Sequence, residues 1–325
     1  MADITIAKQG QIQNAGDELA LYLKVFAGEV ITAFERSSKC IENHIVRTIE
    51  HGKSAQFPVF GRAQAHYLKV GKSLDDLRQN IPHNERIIEI DGLLTSDALI
   101  SDLYEAMSHY DVRQEYAKQM GESLAISADG AIIAEIAKLV EADKENITGL
   151  GKGVKLEKTV KKKEISQDYG LTIVQMLLEL KAKMSEQYVP QEDRFVYMTP
   201  MGTAALINSY VAINRDFGAV ATLVDGVINK VAGFNIIEVP HLTVGGANKE
   251  GSLNATGHDF PTAYKNDVVF VGGHRSCVGT VKLKDLALEQ ARRAEYQADQ
   301  IIAKYAMGHG GLRPEAAAVG LIKVG

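Results

Sequence analysis

Two fragments carry the residue types of a phosphate-binding loop, Gly52-Lys53-Ser54 and Gly71-Lys72-Ser73. Such a loop needs a further glycine five residues before the second, so that successive backbone N–H groups wrap the anion. Arg47 and His66 occupy those positions, and both fragments are rejected. Gly149-x-Gly151-x-Gly153 has neither the spacing nor the preceding strand of a dinucleotide site. Neither a GxSxG elbow nor an HExxH pair is present. The nine histidines do not cluster at ligand spacing. His241, His258 and His274 lie near a Gly-rich stretch, but zinc requires three or four converging ligands. They read as surface or hydrogen-bonded structural residues. A nucleophilic Cys277 would need a base and an orienting group. Its setting, Arg275-Ser276-Cys277-Val278, reads instead as strand entry with a buried thiol. Asp75-Asp76 sits beside Lys72 and Arg78 with nothing to form a dry pocket that would raise a carboxyl pKa. No catalytic, cofactor-binding or metal-ligating residue is expected, and the balance moves to a structural or binding role.

The elements that must position any site are those of an ordinary globular chain. The sequence has 325 residues, 46% hydrophobic and 24% charged. That length corresponds to roughly two domains. With 36 basic and 41 acidic residues the net charge is -5, which excludes a nucleic-acid grip driven by positive charge. Cys40 and Cys277 form no CxxC, so a disulfide scaffold or zinc ribbon is excluded and a reducing compartment fits. No apolar run reaches the length of a membrane span, and the first residues lack a signal-peptide core. A cytosolic product is expected.

Leu19, Leu23, Phe26, Val30 and Phe34 mark one face of an amphipathic helix. Ala55–Phe60 reads as an edge strand because it contains Pro58, and Arg86–Asp91 reads as a second strand. Between them, Gly61 to Glu85 has no regular pattern. Loops beyond about 12–15 residues are uncommon in compact domains. This one holds Tyr67, Leu68, Leu74 and Leu77, which a solvated loop seldom keeps uncovered. An arm that reaches another molecule is favoured. A short helix is expected from Asp97 to about Tyr110. A long one follows from Asp111, with Gln114 completing a capping box, to about Val140 or Ala142. Its length is on the order of 45 Å. Gly121 and Gly130 inside it predict close backbone packing. Residues 143–168, with Lys155, Lys158 and Lys161-Lys162-Lys163, read as a solvated loop or hairpin, with a phosphate-binding patch as the lesser alternative. A helix from about Leu171 to Gln187 and a strand at Arg194–Met198 follow. Helical material is expected near Ala204–Ile213, with strands near 233–240, 268–271 and 278–282. Asp285–Lys304 reads as a helix, and the tail ends in a strand. Without a regular βαβ alternation the class is α+β.

Several of these segments resemble the major capsid proteins of T-seven-like short-tailed phages, which have the Hong Kong 97 capsid fold. The matched runs are LALYLKVFAGEVITAF (Leu19–Phe34), GKSAQFPV (Gly52–Val59), IDGLL (Ile90–Leu94) and HYDVRQEYAKQMGESLAISADGAIIA (His109–Ala134). A further, near-continuous run covers His274–Ala317, and the middle, about 143–270, departs most.

The resemblance implies an N-terminal arm at 1–50, an extended-loop region at 51–92 and a peripheral domain with a spine helix at 93–145. An axial domain at 146–275 and the rest of the peripheral domain at 276–325 complete it. It implies self-assembly into pentamers and hexamers that enclose double-stranded DNA without sequence-specific binding. A scaffolding protein and a portal protein are the implied partners, and no membrane or cofactor is expected. Assembly in the bacterial host cytoplasm and residence in the virion follow. Lys–Asn crosslinking, used by some members of the fold, is not expected, because no buried acid is evident to promote it. The absence of a coiled-coil prosegment implies a separate scaffold. Arg62, Lys69, Lys72, Asp75, Asp76 and Arg78 in the extended loop are the candidate subunit-interface residues. The alternatives are an encapsulin-like nanocompartment shell, or a cytosolic α+β enzyme using Cys277 or His241.

Overall fold

The computed structural model describes residues 30, 32–34, 38–71, 73, 75, 78, 80–103, 112–209, 223–224, 227–228, 230–247, 253 and 257–325. Most of the expected helix at Leu19–Phe34 lies outside them, although Val30 and residues 32–34 are helical. The chain divides into two units. One contains Met1–Ser38, Leu93–Ser127 and Lys284–Ala306, the other Lys39–Gly92, Ala128–Leu283 and Met307–Gly325.

In chain order the strands and helices begin with β1 (Ile45–Thr48), β2 (Ser54–Phe60), β3 (His83–Glu89), β4 (Leu94–Ser101) and α1 (Val112–Glu141). They continue with β5 (Val154–Val160), α2 (Gln167–Glu186), β6 (Arg194–Met198), α3 (Pro200–Asn208), β7 (Leu223–Val224), β8 (Val227–Ile228) and β9 (Lys230–Val231). Last come β10 (Phe234–Glu238), β11 (Val268–His274), β12 (Val278–Arg293), β13 (Ala298–Gly311) and β14 (Ala317–Val324).

The larger unit is built on a six-stranded sheet of order β5-β14-β11-β6-β10-β9. Every residue of β6 is buried, as expected of a central strand covered on both faces. It runs parallel to β10 and antiparallel to β11. Helix α2 starts at Ser166, whose hydroxyl accepts from the Tyr169 N–H, and α3 starts at Thr199 in the same way with Pro200 in its first turn. The buried face of α2, including Ile173, Met176, Leu177 and Leu180, joins Phe195, Tyr197, Phe234 and Phe270 in one core. Residues Ile132, Ile133 and Ile136 of α1 enter the same core. The Lys-rich segment is not merely a loop. Val154 and Leu156 point inward while Lys155 and Glu157 do not, and this period of two makes β5, parallel to β14. Flanking lysines masked that alternation.

In the smaller unit, β4 pairs antiparallel with β13, from Leu94↔Tyr305 to Ser101↔Ala298. The helix expected from Asp97 is therefore a strand through Ser101, and residues 104–110 lie outside the description. The helix expected over Asp285–Lys304 is likewise replaced. Strand β12 runs on to Arg293, a short turn follows, and β13 returns. Gln297 makes the reversal with φ 45°, in the left-handed region. Leu, Ala, Glu, Gln and Arg favour helices, but each propensity is worth only tenths of a kcal/mol. Cross-strand pairing and ion pairs oppose it. Arg113 and Arg292 both meet Asp299, at 3.2 and 3.1 Å.

The expected long helix is found as α1, Val112–Glu141, while its expected cap, Asp111, lies outside the described residues. Both internal glycines admit close backbone: a Cβ at Gly121 would strike the Val30 carbonyl and Ala33, and one at Gly130 would strike the Gly245 carbonyl. Gly130→Ala thus opposes two effects, a helix-propensity gain of about 1 kcal/mol and an overpacking cost of about 1–3 kcal/mol. Because the clash is with backbone, the cost wins. We expect a lower urea midpoint with unchanged slope.

Candidate functional site

The hairpin β2–β3 pairs in register from Ser54↔Glu89 to Phe60↔His83. Ala55, Phe57 and Val59 point inward; the alternate residues face solvent. Pro58 is tolerated because β2 and β3 form a sheet of two strands, each with an open edge. At its tip the Gly61 N–H donates to the Pro82 carbonyl at 2.7 Å, closing the long loop between them. Within that loop Tyr67 and Val70 are fully exposed, Leu68 is about half exposed, and Phe60, Ile81 and Ile87 lie open beside it.

The six candidate interface residues separate in the structure. Arg62 donates to the Gln187 carbonyl and stacks over the Tyr188 ring at 4.3 Å, so it fastens the loop's start to its own chain. Arg78 pairs with Asp75 at 2.7 Å on the exposed surface. Lys69 is exposed and has no ion-pair or hydrogen-bond partner among the described residues. Lys72 and Asp76 lie outside them.

The root of the hairpin is polar and buried. Ile90 donates its N–H to the Lys53 carbonyl at 2.9 Å, and Asp91 donates its N–H to the Met307 carbonyl at 3.1 Å. Gly308 lies against the Glu89 carbonyl with no room for a Cβ. The Asp91 carboxylate accepts from the His309 N–H at 3.3 Å and faces His258 Nε2 at 2.8 Å. The other ring nitrogen of His258, Nδ1, meets Glu135 of α1 at 2.9 Å. Lys138 also reaches Glu135, at 2.9 Å, and donates to the Gly257 carbonyl.

The electrostatics follow from this packing. Burial alone would discharge His258, but its bonds to Asp91 and Glu135 outweigh that and lift it to about 9. Burial would likewise raise Glu135, yet His258 and Lys138 hold it below the usual carboxylate range. His309 lies 5.8 Å from the His258 ring, centroid to centroid, and shares a hydrogen bond with Thr280 at 3.0 Å. Burial, reinforced by the neighbouring cation, lowers it to about 4 in spite of Asp91. His44, buried against Phe195 and bonded to the Tyr197 hydroxyl at 3.1 Å, is lowered to about 3, chiefly by burial. The three histidines therefore hold opposite charge states at neutral pH.

Sequence reasoning left this cluster unassembled. It read His258 as structural, which the packing supports, but missed Asp91, Glu135 and His309 because they come from separate parts of the chain. The expected lack of buried acid is corrected: Asp129 is fully buried, accepting from the Lys39 and Cys40 N–H groups at 2.7 and 3.2 Å. Cys277 is buried as expected, and burial pushes its thiol far above the ordinary range. His241 lies 3.7 Å from Asp129. Among the described residues no group of three or more His, Cys, Asp or Glu side chains is placed to hold a metal, and no helix is long and apolar enough to cross a membrane.

The family model for Gp10A-like major capsid proteins matches residues 56–321, from within β2 almost to the end of β14. The chain belongs to the Gp10A-like major capsid family. Its similarity to the major capsid protein of Escherichia phage T7 is 50% identity, covering 95% of this chain and 94% of the relative. To that of Enterobacteria phage T3 it is 51%, covering 95% and 93%. The solved capsid of Cyanophage P-SCSP1u superposes with a TM-score of 0.73 at 33% identity, covering all of both chains. The architecture is the Hong Kong 97-like capsid fold in an α+β chain, as the resemblance implied. As a Gp10A-like protein the chain is a structural subunit of a phage shell and a virion component, not an enzyme. The encapsulin and cytosolic-enzyme alternatives are set aside.

The low values at His44 and His309 predict an acid limit to subunit stability. Both sit below the unfolded value of about 6.5, so the unfolded chain binds more protons as pH falls through that value. Stability contributed by the neutral rings is complete above about 6.5 and is lost toward pH 4. Between pH 6 and 4.5 the two rings should steepen the loss to on the order of 3 kcal/mol per pH unit. Urea midpoints of unassembled chain against pH should show this, and His309→Asn should remove about half of the slope.

Proposed function

We propose that the Gly61–Glu85 loop lies over an adjacent copy and is the clasp through which this shell subunit closes into pentamers and hexamers. The observation that carries the reading is the exposure of Tyr67 and Val70 within a segment whose base is fastened by Arg62. Burying one such side chain at a contact contributes about 1.5–3 kcal/mol. Many copies acting together turn that modest energy into a closed shell. Arg62 holds the base of the loop, while Lys69, Lys72, Asp75, Asp76 and Arg78 supply charges of both signs that pair with the neighbouring subunit. An exposed hairpin with an open edge also suits strand addition between copies. A net charge of -5 suits a container that does not seize double-stranded DNA along its length. A separate scaffolding protein and a portal protein are the further partners in this reading. The segments 1–50, 51–92, 93–145, 146–275 and 276–325 serve as arm, extended-loop region, peripheral domain with spine helix, axial domain and returning peripheral part.

Tyr67→Ser with Val70→Ser should leave the thermal midpoint of the unassembled subunit within about 1 °C, since neither side chain is buried in it. Shell yield by electron microscopy should fall at least tenfold. Normal shells would overturn the clasp. Separately, Asp75→Lys with Asp76→Lys should give soluble capsomers by sedimentation; normal shells from that variant would remove the ion pairs from the reading and leave the apolar contact.

A further inference from the structure

We propose that Tyr188 is a positioning residue: it keeps a left-handed backbone at the end of α2 so that its ring, with the Gln187 carbonyl, forms a seat for the Arg62 guanidinium and fixes the base of the Gly61–Glu85 loop. The end of the helix has a defined hydrogen-bond pattern. Tyr188 donates its N–H to the Ser185 carbonyl at 3.0 Å, and Val189 donates its N–H to the Met184 carbonyl at 2.9 Å. These two bonds make a Schellman motif, whose left-handed position is usually glycine because a Cβ is strained there. Here a tyrosine takes it, with φ 58°. The ring gains little burial in return, since Tyr188 is 77% exposed. What lies over the ring is Arg62, its guanidinium 4.3 Å from the centroid.

The seat suits a planar cation. Arg62 donates to the carbonyl of Gln187, the C-cap of α2, where a helix end presents partial negative charge. A guanidinium can stack by its face and donate at its edge, whereas an ammonium has no face to stack. The frame around the seat is fixed. Gln187 donates its side-chain N–H to the Lys152 carbonyl at 3.1 Å, and a Cβ on Gly151 would press on that same side chain. Buried Arg194 donates to the Val189 and Pro190 carbonyls at 2.6 and 2.7 Å. The strained residue is thus over-determined by its neighbours, the condition under which strain persists. The seat stands on this geometry; only its consequence for assembly rests on the clasp proposed above.

The test is brief trypsin digestion of the unassembled full chain, since the protease must draw a basic side chain into its own pocket. Cleavage after Arg62 competes with the seat; cleavage after the exposed Lys69 in the same loop does not, and serves as the reference. Tyr188→Gly and Tyr188→Ala both remove the ring and should raise the Arg62-to-Lys69 cleavage ratio by about 2–5-fold, the range of an exposed cation–π contact. Tyr188→Phe should leave the ratio unchanged. Stability separates the two ring-less variants. Glycine accepts the left-handed position and alanine does not, so the thermal midpoint of Tyr188→Gly should exceed that of Tyr188→Ala by about 2–4 °C. An unchanged cleavage ratio in both variants, or equal midpoints, would overturn the proposal. Shell yield from Tyr188→Gly should fall several-fold by electron microscopy. Normal shells from a chain whose Arg62 has become cleavable would show that assembly does not need the seat and would overturn the positioning role. The digestion readout does not depend on shell formation, so the seat and the clasp can fail separately.

Discussion

Charge held away from water organises the larger unit. Asp91, Glu135 and His258 lie where an isolated ion would be expelled or neutralised. Glu135 is held below the usual carboxylate range and His258 above its ordinary value because each finds a counter-ion within hydrogen-bond reach. Satisfying them requires α1, the hairpin root and His258 to arrive together. His309 and His44 solve the same problem in the opposite way, by remaining neutral. The arrangement tolerates little displacement, since moving any one element leaves an unpaired buried charge. Close backbone approaches at Gly130 and Gly308 set the spacing that makes this possible.

That rigidity explains how an exposed arm is carried. The hairpin β2–β3 has one inward face and an otherwise solvent-facing surface, and its loop leaves large apolar groups uncovered. A two-stranded hairpin is marginal by itself. Here the root is tied by Ile90 to Lys53, by Asp91 to Met307 and by Gly308 packed on Glu89. A shell protein gains from this division. The polar anchor is intramolecular, while the apolar tip is left uncovered in the single subunit.

Much of the fold was legible because hydrophobic periodicity survives local noise. The long helix, the edge strand with Pro58, strand β6 and the packing glycines follow from spacing and residue type. The failures share a cause. In 285–304 the residues favour a helix and the alternation is weak, so only pairing with β4 and the ion pairs at Asp299 show the strand. At β5 the inward Val154 and Leu156 are outnumbered by lysines. At Asp97 the strand β4 has the exposed Leu99 on its outer face, which imitates a helical stripe.

The amino-acid sequence alone determined the class of protein. Long runs matching a capsid family, the absence of any catalytic spacing, the net negative charge and an improbable apolar loop are all properties of residue order. Tertiary structure alone decided which charges are paired, which histidines carry a proton and which loop residues stay exposed. Asp91 and His309 are 218 positions apart and within 3.3 Å. Electrostatic energy depends on distance and on exclusion of water, and neither quantity is written in one dimension.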